Sequence, residues 1–181
     1  MKRNGCFHPS VALAILILGF IGLMFSGAEV LRAELDPAAI QQDIQTFFDR
    51  LAMAFDKKDI AGIVQTAMPD ASLQSLDGSS MTLEQWKTAA EEEFPTVQDL
   101  HSLFIVETAK VVGDQATVTY TETHRYELIK EPGQRCESLS RWRADLLKTP
   151  EGWRIKSFAQ LDGQILRDGK PAEAGTLPKT L

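Results

Sequence analysis

Four consecutive patterns of long β-strands in the second half of this chain restrict its fold more than any other feature. They cover about residues 101–112, 115–130, 135–148 and 153–166. Short segments separate these patterns, and each contains glycine together with proline or an acidic residue. Such segments are typical of turns. Because short turns join strands that run in opposite directions, the sequence predicts an antiparallel meander of four long strands.

Two helical patterns begin the folded part of the sequence. Asp36-Pro37 is typical of a helix start, and apolar residues then recur at spacings of three and four as far as Phe55. Asp59 is the predicted N-cap of a second, shorter helix, which we expect Pro69 to end. The sequence therefore predicts one long amphipathic helix followed by a short one.

A small hairpin and a third helix complete the predicted elements. The hairpin covers residues 71–81, with Asp77-Gly78 as its turn. Thr82 and Gln85 have the spacing of a capping box, and the helix that they begin ends before Pro95. Three helices before four long strands predict an α+β fold, in which a cone-shaped, curved antiparallel sheet wraps around the N-terminal helix.

The N-terminus has the basic, apolar and small residues, in that order, of a secretory signal peptide. Two basic residues precede an apolar run over 11–25, and small residues follow at 26–28. We predict cleavage after Ala28, and the alternatives are cleavage after Ala33 and an uncleaved membrane anchor formed by residues 11–28. In each case the protein is exported, to the periplasm or out of the cell.

The sequence divides into a signal peptide over 1–28, a linker over 29–35, one domain over 36–167 and a flexible tail over 168–181. The formal charge of -6 argues against a nucleic-acid partner, because phosphate binding needs a basic surface. Only Cys136 follows the predicted cleavage site, so no intramolecular disulfide is expected. We also predict no cofactor and no metal site, because the familiar ligand motifs are missing from the sequence.

The predicted strand over 116–128 has two unlike faces, because successive side chains point to opposite sides of a sheet. One face is rich in threonine from Thr117 onward, and we expect it to be the outer face. The other begins with apolar residues and becomes polar at Glu122 and His124. An apolar face interrupted by an acid and an imidazole is what the wall of a binding pocket would contain.

The pair formed by Glu122 and His124 allows two interpretations. A carboxylate can orient an imidazole that acts as a general base or binds a polar ligand. The favoured interpretation places both side chains in solvent, on a strand end that extends beyond the helices. The other makes them candidate catalytic residues inside the pocket, together with Asp77, although Asp77 before Gly78 is more simply a turn residue.

Four aromatic residues are candidate ligand contacts. Tyr120 and Tyr126 share the strand face of Glu122, and each hydroxyl is able to point into a cavity even though packing is the commoner role. Phe48 of the first helix and Trp86 of the third complete the set. Trp86 is more simply a core residue.

Five segments, in this order and at this spacing, carry a resemblance to a known family: Phe55–Val64, Met68–Leu73, Val112–Val118, Arg141–Leu147 and Gly152–Ser157. Together they resemble the nuclear transport factor 2-like superfamily, in its SnoaL-like and ketosteroid-isomerase-like branch. The resemblance covers nearly all of the predicted domain. It implies a cone-shaped α+β barrel with a pocket, often paired as a homodimer through the outer face of the sheet.

That superfamily contains isomerases, dehydratases, cyclases and non-catalytic binding modules, so the fold alone does not decide the function. The resemblance places the isomerase general base near Ser75 and its two oxyanion donors near Leu51 and Ala144, where this chain lacks the required groups. We therefore expect an exported, non-catalytic domain that binds a small apolar or amphipathic molecule or a partner protein. The alternatives are a cofactor-independent isomerase, dehydratase or hydrolase that uses Glu122 and His124, and a purely structural dimer.

Overall fold

A computed structural model describes residues 37–172 of the chain, so the predicted signal peptide, the linker and most of the tail lie outside the described residues. The helices are α1 (Pro37–Asp56), α2 (Ile60–Gln65) and α3 (Leu83–Glu93), followed by a 3-10 turn (Phe94–Thr96). The strands are β1 (Ala67–Gln74), β2 (Ser80–Thr82), β3 (Val97–Val112), β4 (Gln115–Leu128), β5 (Arg135–Thr149), β6 (Gly152–Arg167) and β7 (Lys170–Pro171).

The strands form one open sheet in the order β2-β1-β6-β5-β4-β3, with β7 paired to β6. The predicted meander is confirmed, since β3, β4, β5 and β6 pair antiparallel in sequence order. The α+β class, with three helices and a curved sheet around the first of them, is confirmed as well. One pairing was not predicted from the sequence: β1 runs parallel to β6 and joins the hairpin to the meander.

The capping residues locate the helices correctly, whereas the predicted proline stop is wrong. The Asp59 carboxylate accepts a hydrogen bond from the Gly62 N–H at 2.9 Å, and Thr82 and Gln85 form the predicted capping box of α3. Helix α2 ends at Gln65, before Pro69. Pro69 instead lies in β1, inside the irregular stretch where the pairing with β6 shifts register, and such a position tolerates a residue without an N–H.

Helix α1 packs its apolar side against the concave face of the sheet. Phe48 is fully buried there, with its ring centroid 4.4 Å from that of Tyr120 and 6.1 Å from that of Phe104. Phe55 continues the same aromatic cluster towards the C-terminal end of the helix, 5.7 Å from Phe104. Rings from the helix and from the sheet therefore fill the space between them at this level.

The outer face of the sheet carries ion pairs and exposed apolar side chains. Arg141 pairs with Glu107 at 2.7 Å across the threonine-bearing strand β4. Leu103 and Ile105 on β3 are both about half exposed. Such a surface is compatible with water and with a partner sheet, so the homodimer stays a prediction, which a measurement of molar mass in solution would test.

We predict that Phe48→Ala lowers the free energy of unfolding by about 3–5 kcal/mol, because it removes a fully buried ring from the centre of the core. Met53→Ala on the same helix is the matched control, since Met53 is 55% exposed and its loss is expected to change stability by about 0.5 kcal/mol or less. Urea denaturation monitored by circular dichroism measures both. Equal effects of the two substitutions would contradict this account of the core.

Candidate functional site

A hydrogen-bonded chain of three side chains lies buried on the concave face of the sheet. His124 is only 1% exposed. Its Nε2 atom contacts a carboxylate oxygen of Glu122, and its Nδ1 atom lies 2.9 Å from the hydroxyl oxygen of Ser102. Ser102, His124 and Glu122 are called the buried relay below. The favoured interpretation, in which Glu122 and His124 are in solvent, is therefore wrong.

The end of helix α1 explains this burial, because the helix covers the part of the sheet that was expected to protrude. The ring of Phe55 lies 4.8 Å from the His124 ring, and Phe104 contacts it edge-on at 5.7 Å. At the next residue, the Asp56 carboxylate accepts a hydrogen bond from the Ser102 N–H at 2.6 Å. The extent of this cover depends on tertiary packing, so the strand pattern alone does not reveal it.

Sequence reasoning missed Ser102, because a β-bulge decides which residue faces His124. The pairing of β3 with β4 shifts by one residue between Val106 and Thr108. With that shift Ser102 stands directly opposite His124, whereas a regular hairpin from the same turn would place Leu103 there. The sequence does contain a signal of this bulge: the extra residue at Glu107 breaks the apolar alternation of the strand.

The geometry assigns different tasks to the three residues of the relay. Both ring nitrogens of His124 are engaged: Nε2 donates to the Glu122 carboxylate, which only accepts, and Nδ1 bonds the Ser102 hydroxyl. The Glu122 side chain is 13% exposed and has a second carboxylate oxygen. Glu122 is therefore the member of the relay that is able to contact a ligand, while His124 and Ser102 hold it in place.

Partly exposed polar groups adjoin Glu122 on the concave face. Glu122 stands opposite Ser140 on β5, and Ser140 stands opposite Gly163 on β6. The Gln160 side chain amide donates to the Ser140 hydroxyl at 3.2 Å and passes over Gly163. A Cβ atom at Gly163 would lie 2.5 Å from the Gln160 nitrogen, so glycine allows this contact.

Two aromatic residues continue this surface. Trp142 lies opposite Tyr120, one row along from Glu122, and its ring meets that of Phe158 edge-on at 5.8 Å. Both rings are partly exposed. The Trp142 indole nitrogen is buried and has no hydrogen-bond partner among the described residues. The residues of this surface, called the concave patch below, are Ser140, Trp142, Phe158, Gln160 and Gly163.

The structure does not bring Asp77 to the relay. Asp77 is exposed in the turn between β1 and β2, where its carboxylate accepts a hydrogen bond from the Ser79 N–H at 2.9 Å. The hydrogen bonds from Ser79 hold the pKa of the Asp77 carboxyl below its usual value. These contacts are those of a turn aspartate, so Asp77 is left out of the candidate site.

The four candidate aromatic contacts are core residues in this structure. Tyr120 and Tyr126 are almost fully buried, and burial raises the pKa of both hydroxyls, so both stay protonated. Phe48 and Trp86 are also buried among other rings. Any ligand contact by these four side chains would need the core to open.

The positions that the isomerase resemblance singled out carry no acid–base chemistry. Leu51 and Ala144 are buried apolar residues of the core.

Within residues 37–172, no group of three or more His, Cys, Asp or Glu side chains is arranged to hold a metal ion. The absence of a metal and of a cofactor stays a prediction. None of the helices in this range is long and apolar enough to span a membrane.

Comparison with known proteins identifies a family and a fold. Residues 37–159 match the family model described as a SnoaL-like domain. No match was found among the curated proteins. A conserved protein from Planctomyces limnophilus is structurally similar, with a TM-score of 0.62 and 15% identity, over 72% of this chain and 98% of the other.

Two further solved structures have similar folds. A type 2 hexachlorocyclohexane dehydrochlorinase gives a TM-score of 0.59 at 14% identity, over 78% of this chain and 99% of the other. A ketosteroid isomerase-like protein from Erwinia carotovora atroseptica gives 0.54 at 15% identity, over 67% of this chain and 96% of the other. At these identities the likeness shows the fold alone.

We predict that His124→Ala destabilises the domain by about 3 kcal/mol, because it opens a cavity and leaves Glu122 and Ser102 without their partner. Ser102→Ala removes one hydrogen bond and is expected to cost about 1–2 kcal/mol. His101→Ala is the matched control, because that imidazole is exposed beside the relay. Thermal and urea unfolding of the three variants test this, and a His124→Ala variant as stable as the control would contradict the relay.

Proposed function

The chain belongs to the family of SnoaL-like domains, and on that premise we propose that it binds a small amphipathic molecule at the concave patch. Glu122 is the polar anchor of this site, and Trp142 and Phe158 are its apolar wall. This position is at the partly exposed side of the cone, because aromatic rings fill the space between helix α1 and the sheet. The observation that carries the proposal is a carboxylate held by a buried imidazole at the border of a partly exposed aromatic surface.

Energetics favours a binding role for Glu122 over a purely structural one. Moving a carboxylate out of water is expensive, and a buried polar pair seldom stabilises a fold more than apolar side chains of similar volume. Here the carboxylate keeps a small exposed area and one oxygen beyond its contact with His124. A polar group of a ligand would complete the hydrogen bonds of that oxygen.

The unpartnered indole N–H of Trp142 adds a second polar contact to the same surface. Trp142 on β5 is the diagonal neighbour of Glu122 on β4. The backbones of two such residues are about 7–8 Å apart. A ligand that spans this distance and displaces the side chains covering the indole nitrogen would accept from the indole and donate to the carboxylate. The two groups therefore suit a molecule with an apolar body and a short polar edge.

Proton transfer is the second candidate function, and the relay is the observation that favours it. A carboxylate positioned by a histidine is suited to removing a proton from a carbon next to a carbonyl group, while a nearby N–H stabilises the oxygen that becomes negative. Glu122 and Trp142 would have these roles in this chain. Such chemistry needs no cofactor.

We also propose that the domain acts after export, as the signal-peptide pattern of residues 1–28 predicts. The pattern is the only support for this compartment. N-terminal sequencing of the protein isolated from its native cells tests it, and a mature chain that still begins at Met1 in the cytosolic fraction would contradict it.

We predict that the neutral dye Nile red gains fluorescence on binding the wild-type domain, and that Phe158→Lys abolishes this gain by placing a charge in the apolar wall. Val112→Lys is the matched control, since it adds the same charge at a position at the end of β3 that is 69% exposed and lines neither the concave patch nor any other described pocket. Native mass spectrometry of protein purified from its own compartment would identify a bound molecule. Equal dye binding by both variants and the wild type would exclude the concave patch as the binding site.

For the second candidate function, we predict that the domain in D2O introduces deuterium next to the carbonyl group of the probe 2-tetralone faster than buffer alone. Glu122→Gln keeps the shape of the side chain and is expected to lower this rate by about 100-fold or more, because an amide is not a base at neutral pH. Mass spectrometry measures the incorporation. An unchanged rate in Glu122→Gln would remove Glu122 as the base.

A further inference from the structure

A second site lies on the opposite flank of helix α1, in a groove of about 440 Å³. Its walls come from α1, from α2 and from the turn between β5 and β6. The groove is open to solvent and separate from the concave patch, because none of its lining residues belongs to the patch or the relay. Its volume is within the range of small-molecule sites, about 300–1,000 Å³.

Three cations from different elements line this groove. Arg50 is on helix α1, Lys57 directly follows that helix, and Arg154 is on β6. None of the three forms an ion pair with another residue in the described range 37–172. The Arg50 guanidinium lies close to the turn between β5 and β6, since a Cβ atom built on Gly152 would be in ordinary contact with Arg50 Nη2, at 4.0 Å. Positive charge is thus concentrated in one groove of a chain with a net charge of -6.

The two acids that line the groove are occupied by local contacts. Asp59 is the N-cap of α2, and Gly62 leaves room for its carboxylate, because a Cβ atom there would lie 2.5 Å from Asp59 Oδ2. Glu151 has a carboxylate oxygen 3.0 Å from the Thr149 hydroxyl, within its own turn. The cations therefore face the groove with their charges only partly offset.

Apolar side chains form the rest of the groove. Phe47 and Trp153 are buried beneath it, and Met53 is 55% exposed beside it. An exposed thioether next to buried rings suits an alkyl or aryl chain. We propose that this groove binds a small amphipathic anion, whose carboxylate or phosphate group contacts Arg50, Lys57 and Arg154 and whose apolar part covers Met53.

Isothermal titration calorimetry with octanoate, octyl phosphate and octanol tests this proposal on the domain. Both anions are expected to bind and octanol is expected to bind much more weakly, because only the anions pair with the cations. The anion that binds with the higher affinity indicates which headgroup, carboxylate or phosphate, the site prefers. Arg50→Gln and Arg154→Gln are each expected to weaken anion binding by about fivefold or more, and added salt is expected to weaken it further.

Arg143→Gln is the matched control, since it removes the same charge from an exposed position on β5 that does not line the groove. The proposal is overturned if octanol binds as well as octanoate, if neither anion binds, or if Arg143→Gln weakens binding as much as Arg50→Gln. Binding that Phe158→Lys abolishes and Arg50→Gln leaves unchanged would place the anion at the concave patch and would also overturn the groove. Dye binding at the patch is measured separately, so failure here leaves the proposed function standing.

Discussion

The contact between helix α1 and the edge strand β3 is the interaction on which the rest of the domain depends. An edge strand has backbone groups without a neighbouring strand, and proteins commonly cover them. Here the Gln45 side chain donates to the Phe104 carbonyl at 2.8 Å and accepts from the Val106 N–H at 2.9 Å. Further along the strand, Asp56 binds the Ser102 N–H and Lys58 donates to the Val97 carbonyl. Side chains of helix α1, together with Lys58 just after it, thus bind backbone groups of β3 between Val97 and Val106 in place of a neighbouring strand.

This cover determines what the concave face can do. By fixing β3 on the N-terminal side of the bulge at Glu107, the helix holds Ser102 opposite His124, and its aromatic residues exclude water from that imidazole. The relay would not form on an uncovered sheet, because water would compete for each of its hydrogen bonds. His124 is shut off from solvent, whereas Glu122 and Ser102 stay partly exposed. The packing of helix α1 on β3 therefore allows Ser102 and His124 to hold the Glu122 carboxylate in place.

The sequence predicted the features that depend on neighbouring residues and failed on those that depend on distant ones. The capping box at Thr82 acts within one turn of helix, so its residues identify it. The long strands were predicted equally well, because alternation is a local signal. The parallel pairing of β1 with β6, the cover over His124 and the role of Ser102 all depend on how separate segments meet. A one-residue bulge was enough to replace Leu103 by Ser102 in the relay, and its signal, the break in apolar alternation at Glu107, gains its meaning only when β3 is paired with β4.

Neighbouring residues of helix α1 face two different environments, the aromatic core on one side and the cationic groove on the other. Phe48 lies in the core beneath the relay, while Phe47 lines the cationic groove, and the two rings touch edge-on at 5.2 Å. Charges in the groove are exposed and therefore screened, so they act on Glu122 only weakly through space. Packing through these two rings is the more direct connection, because a tightly packed interior transmits small displacements. Substitutions of groove cations leave that packing intact, and their effects are thus expected to add to those of changes at the concave patch.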